Sequence, residues 1–374
     1  MNHTRLGKYF LALIILTIVG ISALTACESE KPADLPVTNG GTYTSAPPAA
    51  GGDPYISIIA RGFQNHFWQT VYAGAQAAAE EYGVEIFFAG PENEADVDVQ
   101  VNMLNTELAK NPDAIVLAAL DTDAIPYQLQ EAYNRGIPVI GFDSGVPEAP
   151  TRQVLANAST DNIAAAALGA DGMFKAIEDR IAAATIATPV TIAILSQDLT
   201  SELITDRTKG FAEQMHALAN GINNSVAITG SFAAINTGPS IAAVNINVVT
   251  GATPATADMA NAASGILATP GLIGIFCSTE NASNGLLAAI NAGSTVSADV
   301  AIVGFGAGTV QKAAIAAGIF TGAVAQNPFQ IGFQAVSLAV RAVRGEHISD
   351  VDTGAVWWDA TNMNDPDIAP LLYS

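Results

Sequence analysis

Short apolar runs alternate with helix-patterned segments along most of this chain, and no other feature narrows its fold as much. After Pro54, YISIIA (55–60) is followed by Phe67, Val71, Ala75, Ala78 and Tyr82 at helical spacing, with Gly83 placed to end that helix. VEIFFA (84–89), AIVLAA (114–119) and IPVIGF (137–142) read as three further strands, with helices over about 97–108 and 123–135 between them. Strands that are apolar on both faces belong to parallel sheets covered by helices on both sides. The rhythm then restarts with VTIAIL (190–195), VAITG (226–230), LIGIFC (272–277), VAIVGF (300–305) and TGAVAQ (321–326). Helices are expected near 161–179, 201–219, 255–268, 281–292, 309–317 and 328–344. The predicted fold class is α/β, with two doubly wound parallel-sheet lobes. Residues 231–253 break the rhythm and are expected to be an insertion with a strand-like piece.

The chain ahead of Pro54 follows different rules. Arg5 and Lys8 precede the apolar run FLALIILTIVGISA (10–23), and Leu24-Thr25-Ala26-Cys27 closes it. As a helix that run rises roughly 21 Å, short of the roughly 30 Å hydrocarbon core of a bilayer. Basic residues, a short apolar stretch, small residues and a cysteine have the order of a bacterial lipoprotein signal. The expectation is a signal peptide over 1–26, a lipidated Cys27, and a flexible linker over 27–53, rich in proline and glycine, without apolar periodicity. The body would then work outside the cytoplasmic membrane, in the cell envelope or periplasm, held by acyl chains. The rival reading of 10–23 is a plain transmembrane anchor.

Composition excludes some classes. A net charge of −21 argues against nucleic acid, whose phosphates need a cationic partner, and against docking on anionic lipid. There are two cysteines. With Cys27 lipidated, Cys277 has no intramolecular partner, and its place in LIGIFC predicts a buried, inert thiol. The four histidines are scattered, with no metal-ligand spacing, and no cofactor is expected. Gly304-Phe305-Gly306-Ala307-Gly308 lacks both the spacing of a dinucleotide loop and the lysine of a P-loop.

In doubly wound sheets, ligands bind beyond the carboxyl ends of the strands. Polar and aromatic residues gather at those places: Arg61 to Trp68, Leu120 to Asp123, Asp143 to Gly145, Ser196 to Asp198, Ser278 to Asn281, and Gln326-Asn327. Asp121, Asp123 and Asp161 each precede a helix and read first as N-caps.

Five segments, in this order, resemble the ribose-type periplasmic sugar-binding proteins, type I solute receptors of ABC importers. They are Asn65-His66-Phe67-Trp68 running into Gly74-Ala75, Ile137 to Asp143, Asn157 to Asn162, Arg207 to Phe211, and Val324 to Pro328. The resemblance covers about residues 54–360. It implies a three-crossover hinge near Thr160, Gln326 and Asp352. The first lobe would be 54–159 plus about 327–352, and the second 160–326 plus about 353–366. It also implies a ligand-binding set. Asn65, Phe67 and Trp68 fall on an amide and two aromatics that pack a sugar's C–H face. Asp143 falls on a carboxylate for hydroxyls, Arg207 on a fixed donor fork, and Gln326 on a hinge glutamine.

The chain also departs from that pattern. Ser144 stands for an arginine, Ala118 for an asparagine, Thr279 for another asparagine with Glu280 and Asn281 following, and Gly306 for an aspartate. Ser144, Thr279 and Asn281 complete the candidate set. The altered ring points to a sugar other than ribose, a deoxy sugar or another small polar solute, with Gln64, His66, Asp121 or Glu280 available to fill the gaps. The function implied is a monomeric extracytoplasmic receptor without catalysis. It would capture a small sugar, deliver it to an ABC permease, and meet the membrane through its N-terminal lipid. Alternatives are a sensory co-receptor and a secreted carbohydrate enzyme. The enzyme would need a second carboxylate opposite Asp143, and Glu280 is the one candidate.

Overall fold

The computed structural model describes residues 53–64 and 66–373. Cys27 and Asn65 lie outside the described residues.

The chain first lays down β1 (Tyr55–Ile59), α1 (His66–Tyr82), β2 (Glu85–Ala89), α2 (Val97–Ala109), β3 (Ala114–Leu117), α3 (Pro126–Asn134), β4 (Val139–Phe142) and β5 (Asn157–Ser159). It continues through α4 (Asn162–Ala183), β6 (Val190–Ser196), α5 (Glu202–Asn220), β7 (Val226–Gly230), β8 (Val244–Thr250), α6 (Thr256–Leu267), β9 (Leu272–Cys277), α7 (Glu280–Asn291), β10 (Ala301–Phe305), α8 (Thr309–Ala316) and β11 (Gly322–Gln326). Then come α9 (Pro328–Val343), β12 (Val351–Asp352) and β13 (Ala355–Trp358).

Two sheets result. One has six strands in the order β12-β5-β4-β3-β1-β2, all parallel. The other has seven in the order β13-β11-β10-β9-β6-β8-β7, parallel except for β13 against β11. The chain passes between sheets three times, after Ser159, after Gln326 and after Asp352. The fold is thus two parallel-sheet α/β lobes.

Each sheet is sandwiched. In the first, Val71 and Ala75 of α1 and Ile331 and Leu338 of α9 pack with Ile56, Ile58, Val116 and Ile140. On the opposite face, Leu104 and Leu108 of α2 and Leu129 of α3 meet Ile59, Ile115, Leu117 and Val139. The second sheet is covered by α4 and α5 on one face and by α6, α7 and α8 on the other. Burying the strands on both sides is what their unbroken apolar sequence requires. Cys277 is fully buried there, and burial pushes its thiol up to about 12, so it stays protonated and inert.

Glycines set how closely the helices approach. A Cβ on Gly74 would strike the Phe329 carbonyl, and one on Gly332 the Val71 carbonyl, so α1 and α9 touch through backbone. Gly210 of α5 meets Ile163 of α4 in the same way. Each lobe therefore holds one helix that starts at a crossover, α9 or α4, against one that starts at the cleft, α1 or α5.

The stretch 231–253 holds the expected strand, β8, but corrects its reading as an insertion. Its strand β8 pairs with both β6 and β7 and lies inside the sheet. It is therefore a structural part of the second lobe, with β7 at the edge. The link from β7 to β8 holds only a 3-10 turn over Ala233–Ile235, where a helix would normally cross. Among the described residues, no helix is long and apolar enough to cross a membrane.

Candidate functional site

The carboxyl ends of both sheets face each other, and the polar residues just beyond them meet there. Asp143 follows β4. Its φ of +54° places it in the left-handed region, where Ser159 Oγ donates to its carbonyl and its own N–H reaches the Ala158 carbonyl. Only 8% of it is exposed. Burial raises its carboxyl above the usual aspartate range, while Arg61, Arg207 and the Ser144 N–H oppose that rise.

Arg207 enters from α5 of the other lobe and is 5% exposed. Its Nε donates to Asn162 Oδ1 at 2.8 Å, and its guanidinium lies 3.9 Å above the Phe305 ring. Burial lowers its pKa to about 10, with Asp143 acting in the opposite sense. Two buried opposite charges on facing lobes thus sense each other, yet no ion pair within 4.0 Å joins them among the described residues.

Arg61, just past β1, is a second cation here. It pairs with Glu94 at 2.9 Å, while its Nε is buried without a partner. Glu94 also accepts from Trp68 Nε1 at 3.3 Å. The two aromatics of α1 separate: Trp68 is buried in the lobe core, edge-on to Phe142 at 6.0 Å, and Phe67 is half-buried, edge-on to Trp68 at 5.1 Å.

The remaining candidates hold the framework as well. Ser144 Oγ donates to the Ala119 carbonyl at 3.2 Å. Thr279 caps α7 by accepting the Ala282 N–H and donates to Gln197 Oε1 at 3.0 Å. Asn281 donates to the Pro254 carbonyl and accepts from Thr256 Oγ1 at 3.0 Å, which ties α7 to the start of α6. Gln326 is half-buried at the end of β11, opposite Ala355. Asp121 and Asp161 cap their helices, accepting from Asp123 N–H at 2.8 Å and Ala164 N–H at 2.9 Å. Asp123 lies within the 3-10 turn that Asp121 caps.

Glu280 occupies the ground left by Gly306. A Cβ on Gly306 would sit 3.2 Å from Glu280 Cβ and 3.3 Å from Glu280 Oε2, and one on Gly308 would strike the carboxylate itself. Gly306 also has a φ of +129°, which an aspartate would adopt only under strain. Burial raises the Glu280 carboxyl, opposed by the Tyr373 hydroxyl and by His66 across the cleft. A cavity of about 240 Å³ beside the hinge is lined from both lobes, including Asp143, Asn162, Glu202 and Asp206.

Sequence reasoning gave no role to Arg61, Glu94 or Tyr373. Arg61 directly follows the first strand, and that position was its signal. Glu94 and Tyr373 reach the cleft from segments that carry no periodicity.

Comparison with known proteins agrees with this geometry. The family model described as periplasmic binding protein domain matches residues 56–347. A solved structure titled ABC transporter, LacI family transcriptional regulator, from Brachyspira murdochii, is 41% identical with a TM-score of 0.75, covering 86% of this chain and 99% of that one. A carbohydrate transporter solute-binding protein from Agrobacterium radiobacter, in complex with D-arabinose, is 25% identical with a TM-score of 0.68, covering 86% and 99%. An ABC transporter solute-binding protein from Agrobacterium vitis with bound D-fucose is 26% identical with a TM-score of 0.69, covering 85% and 100%. Among curated proteins, the D-ribose/D-allose-binding protein of Pseudomonas aeruginosa is 26% identical over 123 residues, 32% of this chain and 35% of that relative's length. With a family match over most of its length and lobes that meet at a polar cleft, the chain belongs to the periplasmic binding proteins, in the company of sugar-binding ABC transporter receptors.

Proposed function

We propose that this protein is an extracytoplasmic receptor that captures a small neutral sugar between its lobes and delivers it to an ABC importer, without catalysis. Asp143 and Arg207 carry the reading: they are buried on opposite lobes and unpaired with each other among the described residues. A sugar offers hydroxyls that donate to the one and accept from the other, in charge-assisted hydrogen bonds. Arg61 Nε is a further buried donor with no partner. Phe67 supplies an aromatic face, Gln326 a hinge-side amide and Asn65 a second amide, with Trp68 holding Phe67 in place. Ser144, Thr279 and Asn281 shape the rim through the bonds they already make. The sugars bound by neighbours at 25–26% identity support the class of solute.

The protein is proposed to act as a monomer, tethered through a lipidated Cys27. Metabolic labelling with palmitate should mark the wild-type chain and leave Cys27→Ser unmarked; equal labelling of both removes the tether. For the solute, a thermal-shift panel of pentoses, hexoses, deoxy sugars and polyols should give at least one hit. A ligand at 100 times its Kd stabilises by about 2.7 kcal/mol. The hit should vanish in Arg207→Ala. An unresponsive panel, or a hit indifferent to that substitution, overturns the reading.

A further inference from the structure

The chain does not end its structural role at β13. Asp359 turns it, accepting from Trp357 Nε1 at 3.0 Å and from Thr361 N–H at 2.8 Å. The segment then runs along the second lobe, burying Leu372 in the core that holds Trp358 and Phe320. Lys312 Nζ reaches the Leu372 carbonyl at 3.4 Å. The next residue, Tyr373, lands at the cleft. Its ring stands edge-on to Phe67 of the other lobe, centroids 6.2 Å apart at 71°. Its hydroxyl accepts from the Ala307 N–H at 3.3 Å and donates to Glu280 Oε2 at 3.0 Å.

These contacts decide what Tyr373 can offer. The hydroxyl is turned into the second lobe, where its proton is already given to Glu280, so the surface left over is ring carbon. Both Tyr373 and Phe67 remain partly exposed, which places them on the cleft wall. Glu280 stands against Gly306, and the Tyr373 hydroxyl bonds the N–H of Ala307 next to it.

We infer that Tyr373 is a solute-contacting apolar wall that makes this site prefer a sugar with a hydrogen or methyl on the facing edge over its hydroxylated counterpart. The inference rests on the sugar-receptor reading above and names the sugar class within it. A sugar hydroxyl pressed against that ring would leave water without gaining a partner, whereas a methyl group or hydrogen packs on it.

Calorimetric titration of the full chain with matched pairs tests this: D-fucose with D-galactose, L-rhamnose with L-mannose, and 2-deoxy-D-ribose with D-ribose. In at least one pair, wild type should bind the deoxy member about tenfold tighter or more, the scale on which one small group is discriminated. Tyr373→Ala should bring that ratio close to one. Tyr373→Phe keeps the ring wall and should keep the wild-type preference. If Tyr373→Ala does not fold, as judged by its melting transition, Tyr373→Asn, which replaces the ring with a polar edge, decides by bringing the ratio close to one. Sugars that bind with ratios within twofold in wild type and variant overturn the role of Tyr373 and leave the receptor reading standing. If no sugar binds wild type, the receptor reading falls and this inference with it.

Discussion

Asp143 pays for its position twice. A non-glycine residue held at positive φ carries strain of about 1–3 kcal/mol, and its carboxyl is buried away from water. Because burial raises its pKa in the native state, the folded protein holds a proton that the unfolded chain has already released. Stability from this group is therefore present below the ordinary aspartate value near 4 and is lost as pH rises through the raised folded value. Asp143→Asn should remove that slope and match or exceed wild-type stability at neutral pH, while solute affinity drops about thirtyfold or more, the cost of removing one partner of a buried charge-assisted contact. Urea denaturation midpoints between pH 4 and 8 check the first part; an unchanged slope in the variant would sink it. At this scale the sequence was most readable where chemistry follows directly after a strand, as for Asp143 after β4, whereas Arg207 stands on α5 and was named through the resemblance. It was opaque for Tyr373 and Glu94, whose places depend on how an aperiodic segment folds back. It was also opaque to the second duties of Thr279 and Asn281, which depend on partners in α6 and in the loop after β6.

Helices carry the site residues, so their spacing sets the site. Arg207 lies one turn before Gly210 on α5, where the α5 backbone rests on Ile163 of α4. Gly210→Ala inserts a methyl group into that contact. Overpacking of this kind costs about 1–3 kcal/mol, and it should also displace Arg207 and weaken solute binding. Gly265 on α6 is the contrast: a Cβ there meets nothing within 4 Å. Gly265→Ala should stabilise by about 0.5–1 kcal/mol through helix propensity and leave binding unchanged. Denaturation midpoints of the two variants should move in opposite directions, and a shared direction would refute the packing argument. The elements themselves were largely legible, since apolar strands and helical stripes have distinct periods. The exceptions have physical causes. β5 is only three residues long, too short to show a period. β8 alternates buried and half-buried residues, with Asn245 and Asn247 on the less buried face, and no helix leads into it. It therefore lacks the unbroken apolar run that marks the other inner strands.

Across the whole molecule, what joins the lobes is a narrow strap of three crossings. Asp352 pins two of them together: its Oδ1 accepts the Asp161 N–H at 3.1 Å and the Gly354 N–H at 2.9 Å. Thr160 Oγ1 lies 3.4 Å from Thr353 Oγ1 in the same strap. These Asp352 contacts are to backbone N–H groups of the strap and not to the Asp143 or Arg207 side chains, so Asp352 should act on binding through the arrangement of the lobes. In the present arrangement Asp143 and Arg207 are both buried and Phe67 meets Tyr373 across the cleft, so the lobes lie close together there. Removing two hydrogen bonds that hold it should cost about 1 kcal/mol of the closed population. A receptor whose binding-competent form is less populated loses apparent affinity by that fraction, whatever the ligand. Asp352→Ala should therefore weaken binding several-fold and by one common factor for every sugar that binds, leaving their ranking intact. Substitutions at Asp143, Arg207 or Tyr373 touch particular edges of the solute and should change the ranking itself. Titrating three sugars of different affinity against Asp352→Ala separates the two behaviours. If one sugar alone loses affinity, Asp352 acts on the site directly, and the hinge is not the element that sets how readily the lobes close.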